Sequence, residues 1–120
     1  MEVSIVDWQG TLIAEVMSEG LCIRQGQDVL DLFGSLYGTG ARCVLLREEH
    51  LAEDFFDLRT RLAGDILQKF SNYRIPLAVV GAFDRHDSRA WQSFVAEYKQ
   101  GKEIFFVTSR EEALDRLAAA

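Results

Sequence analysis

Ile75-Pro76-Leu77-Ala78-Val79-Val80 is an unbroken apolar run that stops at Gly81. It is too short for a buried helix and lacks polar alternation, so it reads as a strand covered on both faces. Pro76 stands near its start, where a missing N–H does least harm to a ladder. Two further segments have the same character: Cys43-Val44-Leu45-Leu46, within 42–47, and Ile104-Phe105-Phe106-Val107, within 103–108.

Helical spacing fills the stretches between these strands. From Gln27 to Tyr37 the apolar positions are Val29, Leu30, Leu32, Phe33, Leu36 and Tyr37, and Gly38 and Gly40 suit a left-handed stop. Phe56 to Tyr73 reads as the longest helix, with Leu58, Leu62, Ile66, Leu67 and Phe70 as its buried stripe. Arg61, Asp65 and Lys69 lie four apart on its other side and can pair weakly. Gly64 costs this helix ~1 kcal/mol against alanine, and a close backbone approach would account for it. Ser88 to Tyr98 turns Trp91, Phe94, Val95 and Tyr98 inward, and Asp87 or Ser88 is expected to cap it. Ser109 to Glu112 spells S-x-x-E, a capping box that opens the last helix.

The N-terminal part has another pattern. Val3–Val6 and Thr11–Val16 are β-prone runs around Asp7-Trp8-Gln9-Gly10, a polar turn ending in glycine. They predict an antiparallel hairpin. Gly20 to Ile23 adds a short extended piece. The order is β-β-α-β-α-β-α-β-α: an α/β fold with a mixed, mostly parallel sheet and helical crossovers expected on both faces. Nothing divides the chain, so residues 1–120 read as one domain.

Composition bounds the function. The net charge is −6, from 19 acidic and 13 basic side chains, and no basic run is present. Nucleic acid requires a dense cationic surface, so that partner class is disfavoured. No apolar run approaches the ~20 residues of a membrane helix, and no secretory pattern opens the sequence. The expectation is a cytoplasmic protein. Cys22 and Cys43 sit in apolar stretches with no metal or redox spacing, so both read as reduced and buried.

The stretch Phe55-Phe56-Asp57-Leu58-Arg59-Thr60-Arg61-Leu62-Ala63-Gly64-Asp65-Ile66-Leu67-Gln68-Lys69-Phe70-Ser71-Asn72-Tyr73 resembles the hallmark segment of domain-of-unknown-function family 4180, small bacterial proteins. The flanks Gln27-Asp28-Val29-Leu30-Asp31-Leu32 and Phe105-Phe106-Val107-Thr108-Ser109 fit as well, so the likeness covers nearly the whole chain. One departure is Asp65, where that family leads one to expect the longer Glu. The element order also resembles STAS domains, the fold of anti-sigma-factor antagonists. In those antagonists a phosphorylatable serine follows the strand corresponding to Arg42–Arg47. Here the loop Glu48-Glu49-His50-Leu51-Ala52-Glu53-Asp54 holds no serine or threonine, so that switch does not carry over.

Parallel sheets gather ligands beyond the carboxyl ends of their strands. Three loops are expected there: 48–57, 81–87 and 108–109. The first is acidic, with Glu48, Glu49, Glu53, Asp54 and Asp57 around His50. A divalent cation is one reading; acids favoured before a helix N-terminus is the other. No calcium-loop spacing is present, so neither a metal nor another cofactor is assigned. The second loop places Asp84, His86 and Ser88 together, but no nucleophile motif accompanies them, and the sequence leans away from an enzyme. Phe55 and Phe56 are adjacent and about 100° apart on a helix, so one can enter the core while the other lines a pocket or a partner surface. Candidate binding residues are therefore Glu49, Phe55, Phe56, Asp57, Arg59, Thr60, Phe83 and Asp84. Gln68, Lys69 and Asn72, on the polar side of the long helix, are candidates for an interface. The expected function is a non-enzymatic regulatory or interaction module with a protein partner or a second copy of itself. The alternatives are a binder of a small apolar ligand or lipid under Phe55, Phe56 and Phe83, and, third, a small carboxylate-dependent enzyme.

Overall fold

The computed structural model describes residues 1–83, 86, 88–98 and 101–120. Its elements are β1 (Val3–Trp8), β2 (Thr11–Val16), α1 (Gly26–Leu36), β3 (Cys43–Arg47), α2 (Leu62–Asn72), β4 (Leu77–Val80), α3 (Arg89–Tyr98), β5 (Ile104–Val107) and α4 (Arg110–Ala119). The alternation expected from the sequence is observed. β1 and β2 form an antiparallel hairpin around Gln9 and Gly10. Both turn residues have positive φ, 54° and 87°, as a two-residue hairpin turn requires. β2, β3, β4 and β5 are all parallel.

The strands lie in the order β1-β2-β3-β4-β5, so each crossover advances by one position in the same direction. Crossovers of one hand then put every connecting helix on one face. Val29 and Leu32 of α1, Ile66 and Phe70 of α2 and Trp91 of α3 indeed share one core with Ala14, Val44, Val79 and Ile104. The other face holds Ile13, Cys43, Leu45, Ala78, Phe105 and Val107 under Ala113, Leu114 and Leu117 of α4. The expectation of crossovers on both faces is corrected: three crossovers cover one face and the terminal helix covers the other.

The long helix also differs from expectation. Residues 56–61 are not helical in the α sense. Short 3-10 turns occupy Glu48–His50, Glu53–Phe56 and Leu58–Thr60, and Arg61 adopts the left-handed conformation at φ 64°. Two side chains compete with the helix here. Asp57 accepts the Arg59 N–H at 3.1 Å. The Thr60 hydroxyl donates to the Asp54 carbonyl at 2.6 Å. Such local bonds satisfy the backbone without an α-helix. Leu58, Arg59 and Thr60 therefore precede α2, and Arg61 caps it while Asp65 pairs with Lys69 at 2.8 Å. Gly64 faces open space. The close approach is instead at the buried Gly26 of α1, where a Cβ would meet Asp65 and Lys69.

α4 is fastened to the sheet by a buried charge. Glu15 of β2 is 3% exposed. Arg110, the first residue of α4, grips it at 2.8 and 3.0 Å, and Arg47 adds a bond of 2.7 Å. The Arg110 hydrogen bond, with help from Arg47, holds the carboxyl below its ordinary range against the desolvation that would raise it. A lowered folded-state pKa gives stability that is complete above the unfolded value of ~4.3 and is lost as pH falls through the folded value. Glu15→Gln is expected to cost about 1–3 kcal/mol at pH 7, because the two arginines keep access to water once the charge is gone. Urea titrations of both proteins from pH 7 downward check this: the difference must shrink as acid protonates Glu15 in the parent.

Candidate functional site

Strand order fixes where a crevice opens. The chain leaving β2, β3 and β4 turns to the crossover face, whereas the chain leaving β5 turns to the face of α4. Neighbouring strands thus diverge only at β4 and β5, and ligands of open α/β sheets sit at such a switch point. A cleft of about 550 Å3 lies there. Phe83, Trp91, Val95 and Phe106 make its apolar walls, with Gln92 and Thr108 as polar groups and Gly81 and Ala82 as its backbone rim. No charged side chain lines it among the described residues. The volume falls within the range usual for small-molecule sites.

Trp91 organises the surroundings. Its ring stands 5.2 Å from Phe56, 5.6 Å from Phe94, 5.8 Å from Phe106 and 5.9 Å from both Phe55 and His86. The indole is 1% exposed, and its N–H has no acceptor among the described residues. Buried indole N–H groups normally find one. Ser88 fixes the start of α3 by accepting the Trp91 backbone N–H at 3.0 Å, the cap expected of Asp87 or Ser88.

Two loops meet beside the cleft. Glu48 accepts from the Ala82 N–H at 3.1 Å and lies 3.2 Å from His86 Nε2. His86 stacks on Phe56 at 4.1 Å with the planes 3° apart. The sequence suggested Asp84 as the partner of His86; Asp84 and Asp87 fall outside the described residues, and the carboxylate seen against His86 is Glu48. Gly81 permits the meeting, since a Cβ there would lie 2.8 Å from Glu48 Cβ and 3.0 Å from Phe83 Cζ.

The other candidates are placed as follows. Phe55 is fully buried in the core, and Phe56 is half-buried, packed on that same core and stacked on His86. Phe83 lines the cleft. Asp57 binds the Arg59 side chain at 2.8 and 3.0 Å, and these bonds hold its carboxyl below the usual range. Thr60 is occupied by the turn before α2. Glu49 is exposed. Among the described residues no three His, Cys, Asp or Glu side chains converge as metal ligands. Gln68 and Asn72 bond each other at 2.8 Å on the exposed side of α2, and Lys69 binds Asp65. The site residues thus form two groups. Phe55, Phe56 and Phe83 join the aromatic cluster, while Asp57, Arg59 and Thr60 shape the neighbouring loop.

His50 is structural. It is 1% exposed, its Nδ1 accepts from the Arg47 N–H at 2.9 Å, and Nε2 therefore donates to the Ser18 carbonyl at 2.8 Å. Burial pushes its pKa down, which favours this neutral form. Cys43 is buried, with its thiol pushed up to about 11 by desolvation, and Cys22 is half-buried; both are unbridged.

A family model, Domain of unknown function (DUF4180), matches residues 8–117. The chain belongs to the DUF4180 family. No curated protein and no solved structure matches it. The cleft walls at Phe83, Trp91, Val95 and Phe106 all lie within the span that defines this family.

Gly81 and Gly64 give opposite expectations. Gly81→Ala should destabilise by about 1–3 kcal/mol, because Glu48 or Phe83 must move. Gly64→Ala, with nothing within 4 Å of the new methyl, should stabilise by about 0.5–1 kcal/mol. Paired urea titrations decide it; equal effects would contradict the placement of both residues.

Proposed function

We propose that this chain is a non-enzymatic binding module for a small, uncharged, flat apolar molecule held in the cleft between β4 and β5. The observation that carries the reading is the cleft itself, of ligand size and aromatic-walled, at the place where neighbouring strands diverge. The buried indole N–H of Trp91, a residue of the cleft wall, has no acceptor among the described residues, which supports a site that is completed by something else. Gln92 and Thr108 supply the few orienting polar groups.

A second reading, a regulatory or interaction module for a protein partner, draws on Tyr37 and Tyr73. They are 94% and 58% exposed at the carboxyl ends of the neighbouring helices α1 and α2. Exposed aromatic side chains are enriched at interfaces, and Gln68 and Asn72 lie on the same helix as Tyr73. The likeness to STAS proteins in element order agrees with a regulatory role but carries no residue-level argument.

N-phenyl-1-naphthylamine, an uncharged fluorescent probe, tests the first reading. It should bind the full chain saturably at one site, with energy transfer from tryptophan. Val95→Trp, which fills the cleft from a half-buried position, should weaken that binding by about tenfold or more while the melting temperature stays near the parent value. Equal binding by the filled variant, or none by the parent, overturns the reading.

A further inference from the structure

β5 ends the sheet, and its outer edge carries no strand among the described residues. On the inner side, the carbonyls of Glu103 and Val107 accept from Leu77 and Gly81 at 2.7 and 2.9 Å. Successive residues in a strand turn their polar groups to opposite sides, so Ile104 and Phe106 present N–H and C=O to the open edge. Proteins blunt such edges with Pro, Lys or bulges. The run Ile104-Phe105-Phe106-Val107 contains no Pro or Lys and pairs in unbroken register. A groove of about 300 Å3 follows this edge, with Val95 and Tyr98 of α3 on one side and Glu112 and Arg116 of α4 on the other.

We propose that this edge pairs antiparallel with the same edge of a second copy of the chain, about a two-fold axis through Phe106. Two constraints set the register. Outward-facing residues must meet outward-facing residues, so Ile104, Phe106 and Thr108 pair among themselves. Charge then selects one arrangement. The Arg116 guanidinium lies over the Phe105 ring at 5.8 Å, and Glu112 stands 3.5 Å from the Thr108 N–H. Arg116 is therefore level with position 105 and Glu112 with position 108. An axis at Phe106 brings Arg116 beside Glu112 of the partner subunit, and Glu112 beside Arg116 of the partner subunit. Moving the axis to Phe105 would set Arg116 against its own copy. Within one chain Glu112 and Arg116 meet at 3.7 Å and are 42% and 51% exposed, so each has solvent-facing surface to turn toward a partner, Glu112 giving up its long contact with the Thr108 N–H. The half-buried Val95, Tyr98 and Phe106 would be covered by the same contact.

The dimer rests on the open edge and the charge register, not on the ligand reading; Val95 and Phe106 border both the cleft and the edge, whereas Glu112 and Arg116 border the edge alone. Sedimentation equilibrium of the full chain should show a dimer. Arg116→Glu and Glu112→Arg should each raise its dissociation constant by about tenfold or more, since each sets like charges together. The double variant that exchanges the two charges should restore the dimer, and an equimolar mixture of the two single variants should form a heterodimer. Circular dichroism should match the parent throughout. A monomeric parent, single variants that dimerise as tightly as the parent, or concentration-dependent amide protection on β1 in place of Ile104 and Phe106 overturns the proposal.

Discussion

The sheet advances one strand at a time in one direction, and most of the architecture follows from that constraint. Crossovers of a single hand cannot then alternate faces, so α1, α2 and α3 pile onto one side. The opposite side would stand bare if α4 did not fold back across it. The turn of α4 to that second face is also what parts the chain ends of β4 and β5. One helix therefore both completes the second core and parts the chain from its neighbours at the carboxyl end of β5. The Glu15 carboxylate, reached by Arg47 from β3 and Arg110 from α4, links these roles by fixing the start of α4 to the middle of the sheet.

Much of the fold was legible in the sequence because burial on both faces leaves a plain mark. The runs at 43–46, 77–80 and 104–107 admit little besides a covered strand. The hairpin was legible from Asp7-Trp8-Gln9-Gly10, although the turn is tighter than that stretch suggests, since Asp7 and Trp8 belong to β1. The start of α2 was not. Leu58 and Leu62 keep helical spacing, and nothing in that period reveals that Asp57 and Thr60 spend their side chains on local backbone groups. Strand order was also hidden, since β-α alternation is equally compatible with helices on one face or on both.

The candidate site shows the same division. Phe83 and the Phe55–Phe56 pair were readable from composition and spacing. Trp91, Val95 and Phe106 read as core, and they are core on one side; they become cleft walls only because the strand order opens space on the other. Glu48 lies 34 residues from its Ala82 contact and 38 from His86, a distance no local pattern spans. Glu15 did leave a trace: a lone acid inside Leu12-Ile13-Ala14-Glu15-Val16 interrupts an otherwise apolar strand, which is where a paired buried charge is to be sought.

The cover over the second sheet face has a consequence for biosynthesis. Among the described residues, Ile13, Cys43, Leu45, Ala78, Phe105 and Val107 are roofed by α4 alone, and α4 is made after every strand it covers. A nascent chain can close its first core once α3 emerges, yet it must carry a bare apolar sheet until translation has passed Leu117. During that interval the half-finished molecule exposes apolar surface of the kind that drives aggregation. A ribosome stalled within α4 would leave it sticky although every strand of the sheet had been made.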